Sequence, residues 1–210
     1  MKGLINFSTL AHTWDNDPRK IERARLFAEG IIRYLRGRNS IKALEFGCGT
    51  GLVSFFLQPY CEHITLVDSS EGMIEVVKEK IRKGYITNMY PLQTDLFDTV
   101  SPNEHYSLVY TLMTLHHMGD LEMVLKIFFS LLLPGGILCI ADLEKEDGSF
   151  HGEGFEGHHG FSPDNMKQRL ERTGFENIMS RRLYIYKKNN AEGVIREYPL
   201  FFLMGSKPPG

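Results

Sequence analysis

Short apolar runs alternate with amphipathic stretches along most of this chain. Runs at about 41–46, 63–67, 89–93, 106–112 and 136–142 have the length and residue types of strands. Between them apolar positions recur at helical spacing, which predicts helices over about 51–58, 71–83, 119–133 and 163–173. An earlier helix is predicted after Asp15-Asn16-Asp17-Pro18, with Asp17 as N-cap and Pro18 in the first turn. Its apolar stripe is Ile21, Ala24, Ala28, Ile31, Ile32 and Leu35, and Gly37 and Asn39 end it. Regular alternation of strand and helix implies right-handed crossovers and a parallel sheet with helices on both faces. Past Phe175 the pattern changes. Residues 177–187 and 194–206 read as two extended segments, an antiparallel pair at the sheet edge.

The first strand meets the next helix at Glu45-Phe46-Gly47-Cys48-Gly49-Thr50-Gly51. Glycines tolerate the turn and let backbone approach a ligand, and the helix N-terminus offers free N–H groups. The dinucleotide pattern G-x-G-x-x-G needs a third glycine for tight helix–strand packing. Counted from Gly47, that place holds Leu52. The glycines fall instead at positions 47, 49 and 51, with Glu45 two residues before the first. A carboxylate there repels a pyrophosphate and suits a cationic ligand.

The run E-x-G-C-G-T-G resembles the first motif of the class I, Rossmann-like methyltransferases that use S-adenosylmethionine. Leu131-Leu132-Leu133-Pro134-Gly135-Gly136 is similar to that family's L-x-P-G-G segment before its fifth strand. The resemblance covers about residues 12–207. It implies an α/β fold: a doubly wound, mostly parallel seven-stranded sheet with an antiparallel last strand and helices on both faces. It implies S-adenosyl-L-methionine as cofactor. The expected organisation is one methyltransferase domain over 1–210. Within it lie an N-terminal cap and helix (1–40), a cofactor-binding core (41–142), an acceptor lid (143–162) and a C-terminal helix with antiparallel strands (163–210).

The same resemblance assigns a cofactor set. Asp68 ends Ile64-Thr65-Leu66-Val67-Asp68, 21 residues after Gly47. An acid near this spacing accepts hydrogen bonds from ribose hydroxyls in Rossmann-like sheets. Asp68, Ser69 and Ser70 are equally capping residue types. In the family, an apolar residue at the place of Met73 packs on the adenine; a plain core methionine is the other reading. Asp95 and Leu96 match the acid and the backbone N–H that meet the adenine, with an Asx-turn as the alternative for Asp95. Glu45 matches an acid near the methionine moiety, or else caps the glycine loop. Gly47, Cys48, Gly49, Gly51, Ser69 and Thr111 complete the set.

Methyl transfer from a sulfonium is an in-line displacement whose leaving group departs as a neutral thioether. It needs positioning above all, and a base only where the acceptor carries a proton. The fourth strand ends in Tyr110-Thr111-Leu112-Met113-Thr114-Leu115-His116-His117. Strand ends of this kind border the ligand crevice in open α/β sheets. His116 or His117 is therefore a catalytic candidate; either could instead cap a helix or pack on the sheet. The glycine- and histidine-rich segment 143–162 is the expected acceptor lid. Its Phe150, Phe155 and Phe161 would shield the reacting methyl, and His151, His158 and His159 are substrate-contact candidates. Those three histidines with Glu153 or Glu156 could bind zinc, but no local helix would fix the geometry, so no metal is expected. Trp14 could stack on cofactor or acceptor, or staple the first helix.

Size and charge narrow the function. The chain has 210 residues and a net charge of −2, which gives no electrostatic case for nucleic acid. The basic cluster within Arg19–Arg38 has helical spacing and reads as a solvated face. No run of about 18 apolar residues suggests a membrane span, and the N-terminus lacks the apolar region of a secretory signal. Three cysteines, Cys48, Cys61 and Cys139, fit a reducing cytoplasm without a disulfide framework. The expected function is transfer of a methyl group to a small molecule, with the oligomeric state open. A protein methyltransferase and a non-catalytic S-adenosylmethionine-binding sensor or subunit are the alternatives.

Overall fold

The computed structural model describes residues 7–94, 105–189 and 194–210. Five strands run parallel: β1 (Lys42–Phe46), β2 (His63–Asp68), β3 (Met89–Gln93), β4 (Tyr106–Leu112) and β5 (Leu132–Leu143). β6 (Glu176–Asn189) and β7 (Ile195–Ser206) complete a seven-stranded sheet of order β3-β2-β1-β4-β5-β7-β6. β7 lies antiparallel to both β5 and β6. It enters the sheet between them, so the last strand is the antiparallel one.

The helices are α1 (Phe7–Leu10), α2 (Pro18–Leu35), α3 (Leu52–Leu57), α4 (Glu71–Lys83), α5 (Leu121–Leu131) and α6 (Pro163–Thr173). Period-two alternation along the strands divides the core. Ala43, Ile64, Leu66, Leu108 and Tyr110 face one layer, where Phe27 and Ile31 of α2, Leu57 of α3 and Val77 of α4 pack. Leu44, Val67, Val109, Leu138 and Ile140 face the other, against Val124 and Phe128 of α5 and Met166 and Leu170 of α6. Among the described residues no helix is long and apolar enough to cross a membrane.

Two sequence expectations shift. The helix expected over 119–133 begins at Leu121, where Asp120 accepts from the Met123 N–H at 2.9 Å, and ends at Leu131. Leu132 is already strand, paired with Tyr106. The residue before a proline is biased away from helix, so the Leu133–Pro134 bond sets this end. In α2, Ile21 is exposed, while Arg23 and Phe27 are buried. Ala24, Ala28, Ile31 and Leu35 of the expected stripe are buried, so the inward face is the expected one, shifted at its start from Ile21 to Arg23 and widened by Phe27.

The strand order reverses between β1 and β4. Ligands in such sheets bind beyond the carboxyl ends of the strands at that switch point. A cavity of about 580 Å³ opens there.

Candidate active site

The glycine loop forms one wall of the cavity. Gly47 has φ +65°, and a Cβ there would lie 2.2 Å from the Thr114 side chain, so any side chain would be both strained and obstructed. The Thr114 hydroxyl donates to the Gly47 carbonyl at 3.3 Å. The Cys48 N–H donates to the Val67 carbonyl at 2.9 Å and ties the loop to β2. Asp68 closes β2 and faces the cavity. Its Oδ2 accepts from the Gly49 N–H and its Oδ1 from the Ser70 N–H, each at 2.8 Å. Burial pushes its carboxyl up, and those two N–H groups oppose the shift. The N-cap of α4 is Ser70, not Asp68, since the Ser70 hydroxyl accepts from the Met73 N–H at 3.4 Å. Each Asp68 oxygen keeps a lone pair for a ligand hydroxyl.

Glu45 lies at the cavity floor, 2% exposed. The Ser54 hydroxyl donates to it, and the Tyr110 hydroxyl lies 2.6 Å from Ser54 Oγ. Because Ser54 gives its proton to Glu45, Tyr110 is the donor in the second bond. Burial pushes the Glu45 carboxyl up to about 8, against the lowering effect of Ser54.

The N-terminal segment folds over this loop. α1 and the 3₁₀ turn Ala11–Asn16 bring Phe7, Leu10 and Trp14 to the cavity wall. Asp15 fixes the segment, accepting from the Thr50 hydroxyl at 2.5 Å and from Lys80 Nζ at 2.9 Å. Lys80 also donates to the Thr50 carbonyl at 2.8 Å. Lys20 Nζ sits 3.3 Å above the Trp14 ring. Met73 is buried beside Ala11, Phe7 and Trp14, and still contributes to the cavity with Ser69.

The far end is built from the ends of β4 and β5 and the segment after β5. Met113 lines it with φ 57°, a left-handed conformation uncommon for a residue with a side chain. His116, His117 and His151 come together there, with ring centroids 4.2, 5.0 and 5.3 Å apart. His116 is 1% exposed. Its Nδ1 lies 2.6 Å from Asp142 Oδ1, and Asp142 also accepts from the His116 and Leu143 N–H groups. Burial first, then the His116 imidazole, holds His117 down to about 4, and burial, then His116 and His117, holds His151 down to about 3. Phe7 meets the His117 ring edge-on from the N-terminal segment, and Phe155 meets it from the segment after β5.

That segment, residues 144–161, is tied at its neck. Lys145 N–H donates to Phe161 O, Phe161 N–H to Leu143 O and Glu146 N–H to His159 O. The His158 N–H reaches the His116 carbonyl at 2.7 Å. Phe150 lines the cavity while packing on Tyr186 and Tyr198. Phe155 stacks on His151 at 3.9 Å. Phe161 turns away into the core with Met166 and Leu170.

Most of the expected site residues meet in this one cavity: Trp14, Glu45, Gly47, Cys48, Gly49, Asp68, Ser69, Met73, His116, His117 and His151. Four do not line it. Thr111 lies within the paired part of β4, opposite Ile140, and the cavity takes Leu112, Met113 and Thr114 beyond it. Gly51 packs under Leu66, Phe55 and Val77, where it serves the turn into α3. His158 packs against Phe161, and His159 stands half-exposed beside Glu146. Asp95 and Leu96 lie outside the described residues.

Arg23 is a correction to the reading of the basic cluster as a solvated face. It is 8% exposed, it lines the cavity, and its Nε has no hydrogen-bond partner among the described residues. Its guanidinium lies 5.7 Å from the Tyr186 ring centre, and burial pulls its pKa down. Only the fold could reveal this, because Arg23 alternates in sequence with arginines that do reach solvent.

A loop with an acid before it and an acid at the end of β2, above a switch point, is the arrangement that the glycine pattern predicts. A family model described as a methyltransferase domain matches residues 19–180. The chain belongs to this methyltransferase family. The chain is 33% identical over 156 residues to an uncharacterized methyltransferase of Schizosaccharomyces pombe, covering 67% of this chain and 55% of the relative. It is 27% identical over 145 residues to a ubiquinone biosynthesis O-methyltransferase of Coxiella burnetii, covering 68% and 62%. The match thus spans between half and two thirds of each relative. Among solved structures it resembles a Haemonchus contortus phosphoethanolamine N-methyltransferase in complex with phosphomonomethylethanolamine and S-adenosylhomocysteine. The TM-score is 0.69 at 16% identity, over 86% of this chain and 52% of that one. At that identity the likeness is one of fold.

Proposed function

We propose that this methyltransferase binds S-adenosylmethionine along the Glu45–Thr50 loop and transfers its methyl group to a small-molecule acceptor at the histidine-lined end. The observation that carries the reading is continuity: a single cavity runs from Asp68 and Met73, past Gly47, to His116, His117 and His151. Its volume is within the range that holds a drug-sized ligand, about 300–1,000 Å³. Asp68 would take the ribose hydroxyls, Met73 the adenine face and Glu45 the methionine ammonium. Asp95 and Leu96 are assigned to the adenine edge by the sequence pattern alone.

Arg23 supplies the countercharge for an anionic group in the cavity. Its buried Nε finds no hydrogen-bond acceptor among the described residues, and an anion in the cavity would offset that cost. Two sources share this chemistry: the cofactor's own carboxylate and a carboxylate or phosphate on the acceptor.

The chain's remaining contribution is positional. The N-terminal segment and the segment at 143–162 approach His117 from two sides, through Phe7 and Phe155. Closing both over the bound pair would exclude water from the reacting methyl. The small-molecule reading draws support from the ubiquinone-pathway relative and from an acceptor end enclosed by these two segments.

The test uses labelled S-adenosylmethionine with a cell extract split by size into a low-mass fraction and a protein fraction. Label should enter the low-mass fraction. Label confined to protein would overturn the small-molecule acceptor. No transfer to either fraction, with cofactor still bound, would favour a non-catalytic binder.

A further inference from the structure

We propose that His116, His117 and His151 form a binding site for a divalent transition-metal ion of the zinc type, opening onto the acceptor end of the cavity. The sequence reading expects no metal and groups His151 with His158 and His159. The fold pairs His151 instead with the end of β4. One ring nitrogen from each of His116, His117 and His151 lies within 4.8 Å of those of the other two. Zinc–nitrogen bonds of about 2.0–2.1 Å in a tetrahedron bring ligand nitrogens to roughly 3.3 Å, so small side-chain rotations close the gap.

A second observation points to a ligand. Asp142 accepts from His116 Nδ1, which places the proton on that nitrogen and leaves the Nε2 lone pair free. That Nε2 is buried and has no hydrogen-bond partner among the described residues, and the same holds for the His151 Nε2. A buried polar atom without a hydrogen bond costs about 1–3 kcal/mol, so each of these Nε2 atoms calls for a ligand in the cavity that both histidines line. A carboxylate on the far nitrogen of a ligating imidazole is the usual outer-shell support of metal-bound histidine, because it fixes the tautomer and the ring. Asp142 is itself held by two backbone N–H groups.

Three imidazoles leave one tetrahedral position open, as in catalytic rather than structural zinc sites. All three residues line the cavity, so the open position faces the ligand space. The ion would take an oxygen or sulfur nucleophile of the acceptor, a phenol, alcohol or thiol. Bound to the ion, that group loses its proton to water. Its electron pair then forms the bond to the methyl carbon, while the carbon–sulfur bond breaks and its electrons return to sulfur as a neutral thioether. This use of the ion rests on the methyl-transfer reading; the binding of the ion does not.

The test is titration of the metal-stripped full chain with cobalt(II), followed by visible absorption, alongside calorimetry with S-adenosylhomocysteine. The wild-type protein should bind one equivalent of cobalt with the intense visible bands of a tetrahedral ion. His151→Ala and His116→Ala should lose that binding, Asp142→Asn should weaken it about 10–100-fold, and His159→Ala should leave it unchanged. His151→Ala removes a side chain from the segment after β5, so it keeps the test valid if His116→Ala fails to fold. Unchanged S-adenosylhomocysteine affinity in His151→Ala certifies the fold and separates the two claims. Absence of stoichiometric cobalt binding, or binding that survives both histidine substitutions, would overturn the metal site. Loss of S-adenosylhomocysteine binding in the wild type would instead overturn the cofactor reading and leave the metal result standing.

Discussion

A carboxyl group at the floor of the cavity that keeps its proton to about pH 8 reports on what is meant to lie beside it. Glu45 ionises easily in the unfolded chain and reluctantly in the folded one. The folded state therefore binds more protons between the ordinary glutamate range and about 8, and stability falls as pH rises through that window. A cationic ammonium beside Glu45 would reverse the preference. Binding of S-adenosylmethionine near pH 7 should release close to one proton, and affinity should rise toward pH 8 and then level. Calorimetry in buffers of different ionisation enthalpy reads the proton directly. Glu45→Gln should abolish the release and flatten stability between about pH 5 and 8. Arg23→Met in the same experiment assigns the anion. If the cofactor carboxylate is its partner, affinity for S-adenosylhomocysteine falls roughly tenfold or more, while 5′-methylthioadenosine, which lacks the amino-acid tail, binds as before. Unchanged affinity for both would place the anion on the acceptor. Proton release that persists in Glu45→Gln would show that another group titrates.

At the scale of elements, the N-terminal segment is as much a part of the site as the glycine loop. It is held through Asp15 to Thr50 and Lys80, and Ser8 lies against the start of α4, with its hydroxyl 2.9 Å from that of Ser70. Gly72 permits this approach: a Cβ there would lie 2.7 Å from the Ser8 Cα and carbonyl oxygen. Gly72→Ala should force the segment off α4 while leaving the helix itself better formed. The expected outcome is faster hydrogen exchange over residues 8–16 and faster dissociation of S-adenosylhomocysteine, with thermal stability little changed. Exchange and dissociation like those of the wild type would show that the segment does not cover the cofactor. Strand and helix positions were legible because buried parallel strands are continuous apolar runs and the crossover helices keep a 3.6-residue period. Glycine spacing and acid placement likewise marked the turn from β1 into α3 and the acid that closes β2, which meet at one cavity. What escaped were relations between distant residues. Nothing local ties His151 to His116, 35 positions earlier. Neither does anything local separate buried Arg23 from the solvated arginines around it. The helix before Pro134 ends two residues short of the expected 133 because a run of leucines continues unbroken from helix into strand.

Across the whole molecule, the strand order puts five carboxyl strand ends along one edge and reverses direction between β1 and β4. The cofactor loop, Asp68, the β4 histidines and Asp142 all hang from that edge, although they span nearly a hundred residues of sequence. The sheet fixes their distances, and the covering segments need only close over them. The central claim is that this edge is an S-adenosylmethionine site. Calorimetric titration of the purified protein with S-adenosylhomocysteine tests it most directly, with NAD and Asp68→Ala as comparisons. One site per chain and no heat with NAD are expected. Affinity should be about 10–150-fold weaker in folded Asp68→Ala, as expected for losing charge-assisted bonds of about 1.5–3 kcal/mol. A folded wild-type protein that binds neither S-adenosylmethionine nor S-adenosylhomocysteine, or that binds NAD instead, would contradict it.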